Sequence, residues 1–85
     1  MIRIAIFASG SGSNAENIIH YFYNKKSAVV PIIFCNNAQA YVIERARNLN
    51  VPIFLFKNSE LADADLILSE LNKYQIDYIV LAGFM

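Results

Sequence analysis

Cysteine is almost missing from this chain. Cys35 is its single thiol, so no internal disulfide can form and the disulfide-stapled secreted class is excluded. A reducing, cytoplasmic setting is the expectation. Charge of one sign is lacking too, since 7 basic residues balance 7 acidic ones and no basic run exceeds two residues. Nucleic acid and anionic membranes both call for a concentrated positive patch, so neither is an expected partner. No apolar run approaches the ~18–20 residues of a membrane helix. Residues 2–7 are too short for a signal peptide, and a polar loop at 9–14 interrupts them. One histidine and one cysteine cannot assemble a metal shell, so no metal site is expected.

Apolar side chains, by contrast, are abundant. They make up 56% of 85 residues, above the roughly 45–50% of an ordinary soluble domain. A single domain this small buries only ~60% of its unfolded surface and should be poorer in them. The excess predicts apolar surface that further polypeptide would cover.

Short apolar runs at 2–7, 28–35, 51–56 and 77–82 alternate with amphipathic segments, the pattern of βαβ units and a parallel sheet. Continuous rather than alternating apolar strands suit a sheet covered on both faces. Pro31 is expected at the start of its strand or on an edge, because it has no N–H for the ladder. Three helices are predicted. Over 14–23 the apolar stripe is Ala15, Ile18, Ile19 and Phe22; over 38–49 it is Val42, Ala46 and Leu49. Over 60–74 it is Leu61, Ala64, Leu68 and Leu71, with Ser59 as N-cap. The order is β-α-β-α-β-α-β, an α/β fold. The chain then stops at Gly83-Phe84-Met85, directly after a strand of the buried type. Such a strand needs a following helix, so residues 1–85 read as one unit cut after its fourth strand. The exposed edge is expected to drive self-association.

The first strand runs into Ser9-Gly10-Ser11-Gly12-Ser13-Asn14, and a helix follows. Two glycines allow positive φ and close approach of a ligand to the backbone. A helix N-terminus adds free N–H groups and partial positive charge, which together make a phosphate seat at the carboxyl end of a strand. Ser13 and Glu16 also match the capping box, in which the Ser13 hydroxyl serves the helix alone. Gly10, Gly12 and Ala15 satisfy G-x-G-x-x-A, but the second strand ends in Cys35-Asn36-Asn37-Ala38. No carboxylate stands there for a dinucleotide ribose. No Gly-Lys-Ser/Thr is present for a Walker loop. What remains is a small phosphorylated ligand held by amides and hydroxyls.

Four segments in order resemble one family. They are Ser9-Gly10-Ser11-Gly12-Ser13-Asn14, Phe34-Cys35-Asn36, Glu44-Arg45-Ala46, and Val80-Leu81-Ala82-Gly83-Phe84-Met85. Together they are similar to the phosphoribosylglycinamide formyltransferases of purine biosynthesis, over all 85 residues here but only the first part of a family member. The resemblance implies a Rossmann-like parallel sheet with flanking helices. It implies formyl transfer from 10-formyltetrahydrofolate, as co-substrate, to the amine of glycinamide ribonucleotide. It assigns the substrate phosphate to Gly12, Ser13 and Asn14, with Gly10 and Ser11 completing the loop. Gly83 would border the glycinamide end, and Leu81, Phe84 and Met85 the folate. The family's catalytic asparagine, histidine and aspartate would fall beyond Met85, so no catalytic residue is assigned and the chain alone is expected to be inactive. Near Glu60 some relatives carry an arginine by the folate.

Other polar residues have structural readings. His20 is expected to face solvent on the first helix, and Cys35 to fill space at a strand end. Asp77 should lie at the amino edge, opposite the site, and Asp63, Asp65 and Glu70 on a solvated helix face. Asn36 and Asn37 read as turn and cap residues. Two further functions stay open: a non-catalytic module binding a phosphorylated ligand or mononucleotide, and an interaction fragment that pairs through its apolar surface.

Overall fold

A computed structural model describes residues 1–57, 59 and 64–84. Its elements are β1 (Ile2–Ala8), α1 (Ser13–Tyr23), β2 (Ala28–Cys35), α2 (Val42–Asn48), β3 (Ile53–Leu55), α3 (Ala64–Lys73) and β4 (Tyr78–Leu81). The four strands are parallel and lie in the order β3-β2-β1-β4. The expected α/β class and strand–helix alternation are therefore present.

The handedness of the crossovers explains where the helices go. From β1 to β2 to β3 the chain steps in one direction, and from β3 to β4 it returns past β1. Right-handed crossovers put helices from opposite steps on opposite faces. Accordingly, Ala15 of α1 and Val42 and Ala46 of α2 pack with Ile4, Ile6, Ala8, Ile33 and Cys35 on one face. Ile67, Leu71 and Tyr74 pack with Ala5, Phe7, Ile32 and Phe34 on the other.

The α3 face is aromatic because the register lines up rings across the sheet. Phe7 is opposite Phe34, and Phe34 is opposite Phe54. The Phe7 and Phe34 rings stack at 4.6 Å and 4°. Phe56 and Phe84 meet Phe7 edge-on at 6.1 and 5.4 Å. Offset stacks and edge contacts are the arrangements that the ring quadrupole favours.

Pro31 sits inside β2, in the middle of the sheet, rather than at a strand start. Two local features accommodate it. Between Arg3↔Val29 and Ala5↔Ile32 the ladder slips, with β2 carrying one extra residue at a bulge. The β3 pairing begins only at Ile33, so β2 is locally an edge where the N–H is missing. The bulge also reverses the inward pattern: Val30 faces α1, whereas Ile32 faces α3.

Three other expectations are corrected. Helix α2 starts at Val42 rather than at residue 38, because Asn37 organises a turn there. Its Oδ1 accepts the Gln39 N–H at 3.0 Å, and its carbonyl accepts that of Ala40 at 3.0 Å. In α3 the buried stripe is Ile67, Leu71 and Tyr74; Ala64 and Leu68 are exposed. The run Leu66-Ile67-Leu68 offers two adjacent apolar stripes, and the sheet selects one. The predicted start of this helix falls against positions 58 and 60–63, so Glu60, Leu61 and Asp63 lie outside the described residues. Finally, β4 is not covered on both faces. Tyr78, Ile79 and Leu81 are 63%, 49% and 66% exposed, since β4 ends the sheet.

Both α2 and α3 stop on a left-handed residue, Asn50 (φ 58°) and Gln75 (φ 53°). Each lets the next N–H reach back to a helix carbonyl, Val51 to Ala46 and Ile76 to Leu71. No helix among the described residues is long and apolar enough to cross a membrane.

Phe34 is fully buried at the centre of the aromatic face. Phe34→Ala should cost about 3–5 kcal/mol. Urea denaturation of the variant beside the parent checks this, and a loss under about 1 kcal/mol would mean that the rings are not close-packed.

Candidate functional site

The strand order reverses between β1 and β4, and in open α/β sheets ligands bind outside the carboxyl ends of the strands at such a switch point. The segment at 9–12 leaves β1 there. Its base is tied to both neighbours. The Ser9 N–H donates to the Gly83 carbonyl at 3.0 Å, and Asn37 Nδ2 donates to the Ser9 carbonyl at 3.4 Å. The buried Ser9 hydroxyl donates to Asn36 Oδ1. Gly83, itself at φ 70°, is thus brought beside the loop although 71 positions separate it from Gly12 in the chain.

The loop's shape depends on one glycine rather than two. Gly12 is left-handed, at φ 80°. A Cβ there would lie 2.5 Å from Val42 Cγ2 and 2.8 Å from its Cα, so α2 packs directly on the loop backbone. Gly10 has no positive φ and would have open space around a Cβ. Its carbonyl accepts the Val42 N–H at 3.1 Å.

Gly12 is also the N-cap of α1, with no side-chain cap bond. Ser13 is the first helical residue, so the capping box that its spacing also allowed is not formed. Its hydroxyl instead lies 3.4 Å from Ser11 Oγ. The Glu16 N–H reaches back to the Gly12 carbonyl at 2.8 Å. The Ser13 N–H donates to Ser11 Oγ at 3.4 Å, and the N–H groups of Asn14 and Ala15 precede that first intrahelical bond. Ser11, Ser13 and Asn14 are exposed around them. Helix-start amides, nearby hydroxyls and the positive end of a helix dipole are features that suit an anion.

Glu16 turns away from the cap. Its Oε1 accepts from Arg45 Nη1 at 2.9 Å, and its Oε2 lies 3.4 Å from His20 Nε2. The Arg45 hydrogen bond is the main cause that lowers the Glu16 pKa below its ordinary value, with His20 adding to it against partial desolvation. Arg45 Nε also donates to the Ser11 carbonyl at 2.7 Å. Sequence reasoning gave Arg45 no role of its own; nothing in its helical spacing marks a contact with a loop 34 positions away.

The other expected residues are distributed as follows. Leu81 is exposed at the end of β4, whereas the Phe84 ring is half-buried among Phe7 and Phe56. Met85 lies outside the described residues. His20 is exposed, Cys35 is buried with its thiol toward the Asn37 carbonyl, and Asn37 caps its turn, all as expected. Asp77 bonds the Arg3 N–H at the amino end of the sheet. An open concavity of about 700 Å³ also lies at that end, lined by Met1, Ile2, Lys26, Ser27, Asp77 and Tyr78. It lies at the opposite end of the strands from the glycine loop, away from the carboxyl edge where ligands bind in open α/β sheets, so the loop remains the candidate site. Among the described residues no cluster of three metal-ligating side chains occurs.

Residues 2–85 match the family model described as Formyl transferase. The chain belongs to that family. It is 34% identical to the phosphoribosylglycinamide formyltransferase of Bacillus subtilis, across 100% of this chain and 46% of that relative. It is 37% identical to the Escherichia coli protein of the same name, across 99% and 42%. Among solved structures, glycinamide ribonucleotide transformylase 1 from Geobacillus kaustophilus superposes with a TM-score of 0.89 at 43% identity, over 100% of this chain and 48% of that one. The chain thus spans under half the length of these relatives. The resemblance expected from the four motifs is the family found, and the Rossmann-like sheet is shared with its solved members.

The two loop glycines should respond differently to the same change. Gly12→Ala meets both the left-handed backbone and Val42 and should cost at least about 2 kcal/mol, whereas Gly10→Ala should stay within about 1 kcal/mol. Thermal unfolding of both variants checks the contrast. Equal losses would show that the loop does not pack on Val42 in this way.

Proposed function

We propose that this chain is the phosphate-binding part of a phosphoribosylglycinamide formyltransferase. The whole protein would transfer a formyl group from 10-formyltetrahydrofolate to the amine of glycinamide ribonucleotide, in purine biosynthesis. The observation that carries the proposal is the left-handed Gly12 opening α1 at the switch point of the sheet, in a loop whose base, Ser9, bonds the Gly83 carbonyl. Relatives that bear the name of this activity match the chain over its full length.

In this reading the amides at the start of α1, with Ser11, Ser13 and Asn14, hold the ribonucleotide phosphate. Gly10 and Gly12 leave the backbone free to approach it. Gly83 borders the glycinamide end, and Leu81, Phe84 and Met85 form part of a folate pocket. The amine attacks the formyl carbon, the carbonyl electrons move to oxygen, and collapse of that tetrahedral adduct expels the reduced folate nitrogen. Stabilising the oxyanion and moving the amine proton require polar groups near the reacting atoms. The family's asparagine, histidine and aspartate would supply these outside the 85 residues, so this chain is inactive alone. Its own contribution is position: anchoring one end of the substrate sets where the amine lies.

A second reading, a non-catalytic module for a phosphorylated ligand, is favoured by one observation. The carboxylate nearest the loop, Glu16, is engaged by Arg45, which leaves it poorly suited to proton transfer. The exposed Tyr78, Ile79 and Leu81 of β4 also support self-association of the chain. Sedimentation at tens of micromolar should show dimers or larger species, and a clean monomer would refute this.

Calorimetric titration with glycinamide ribonucleotide, with NAD and inorganic phosphate alongside, tests the central claim. The ribonucleotide should bind best, and Gly12→Val should abolish its binding. Preference for NAD would overturn the assignment, and no binding by any of them would mean that the chain carries no phosphate seat of its own.

A further inference from the structure

The contact between α2 and the loop includes a side chain whose position is not explained by fold alone. Arg45 lies on α2, the helix whose Val42 packs against Gly12, and its guanidinium spans two targets. Nε donates to the Ser11 carbonyl at 2.7 Å, inside the glycine loop, and Nη1 donates to Glu16 Oε1 at 2.9 Å, in the first turn of α1. The Tyr41 ring lies 5.1 Å from the guanidinium carbon and restricts it further. Both partners of the ion pair are about 30% exposed, so solvent screens it only in part.

The charges make this geometry meaningful. A carboxylate in the first turn of a helix suits the macrodipole when the N-terminus is bare. When that N-terminus must receive a phosphate, the same carboxylate repels the ligand. The closest counter-charge is Arg45, and His20 Nε2 on the far oxygen stands at 3.4 Å on an exposed side chain. The Ser11 bond meanwhile fixes the carbonyl that precedes Gly12, and so the direction of the amides after it. A lysine could meet one of these needs but not both, because only guanidinium offers two donors in a rigid fork.

We propose that Arg45 is a positioning residue for the phosphate seat, holding the Ser11 carbonyl and cancelling the charge of Glu16 without itself being a phosphate ligand. This rests on the phosphate-loop reading above and assigns that loop its electrostatic partner.

The test uses the 85-residue chain and four variants: Arg45→Gln, Arg45→Lys, Glu16→Gln, and the double change Arg45→Gln with Glu16→Gln. Affinity for glycinamide ribonucleotide and for inorganic phosphate is measured by calorimetry, and amide NMR spectra establish that each variant is folded. Arg45→Gln should weaken binding about ten-fold or more, through loss of two charge-assisted bonds and exposure of Glu16. Glu16→Gln should bind at least as well as the parent. The double variant should recover part of the loss, which a purely structural role for Arg45 would not allow. Arg45→Lys should fall between the parent and Arg45→Gln. In the parent the Glu16 carboxyl should titrate below its ordinary range, and in Arg45→Gln it should move back up. Because the folded value is lowered, the stabilisation from this pair is present above the ordinary carboxylate pKa and is lost as pH falls through the lowered one. Parent-like binding by Arg45→Gln, or a double variant no better than the single, overturns this inference alone. No binding by the parent overturns the phosphate-loop reading and this inference together.

Discussion

The approach of Val42 to Gly12 is the constraint on which the rest of the site depends. With a Cβ at position 12 excluded at 2.5–2.8 Å, α2 can sit against the loop backbone. That contact places the Val42 N–H on the Gly10 carbonyl and Arg45 on the Ser11 carbonyl. The left-handed turn at Gly12 then directs the chain into α1 with its first amides facing outward. Packing and loop shape thus rest on the missing side chain of one residue.

The sheet supplies the frame for this contact. Its two faces are built differently: small and branched residues under α1 and α2, aromatic rings under α3. Small residues such as Ala8, Ala15 and Ala46 let two helices come close to the strand ends, where the loop has to be held. The rings opposite fill a thicker layer and reach to Phe84, just past the end of β4. Packing of the half-buried Phe84 on that layer and the bond from Ser9 to the Gly83 carbonyl fix the segment after β4 beside the segment after β1. The glycine loop and the segment after β4 are therefore positioned by the same strand pair.

Much of this was legible in the residues. Helix α1 packs on the predicted stripe, and the alternation of strand and helix is correct. The loop was recognisable from the glycines and serines after an apolar run, and the combination of four motifs pointed to the family. The failures have definite causes. Gly10 and Gly12 look equivalent in sequence, yet only a neighbour from α2 makes one of them indispensable. Ser13 and Glu16 have capping-box spacing, but Arg45 offers Glu16 a charged partner stronger than a backbone amide. The α3 stripe was placed one residue off because Leu66, Ile67 and Leu68 are all apolar. Pro31 was expected at a strand start or on an edge strand; it lies inside a central strand, and the edge there is only local because the neighbouring strand is too short to reach it.

Local patterns are carried by side chains within a few positions of each other, so the sequence by itself determined the alternation of strands and helices, where the glycine-serine turn lies and which family the chain resembles. Strand order is a different kind of fact. It depends on how each crossover folds back, and the return from β3 past β1 to β4 cannot be seen in the spacing of residues. Only the tertiary structure decided that Gly83 stands beside Ser9, that α2 rests on Gly12, and that Arg45 closes on both Ser11 and Glu16. Each of these contacts joins residues tens of positions apart, and its geometry exists only after the sheet has ordered its strands.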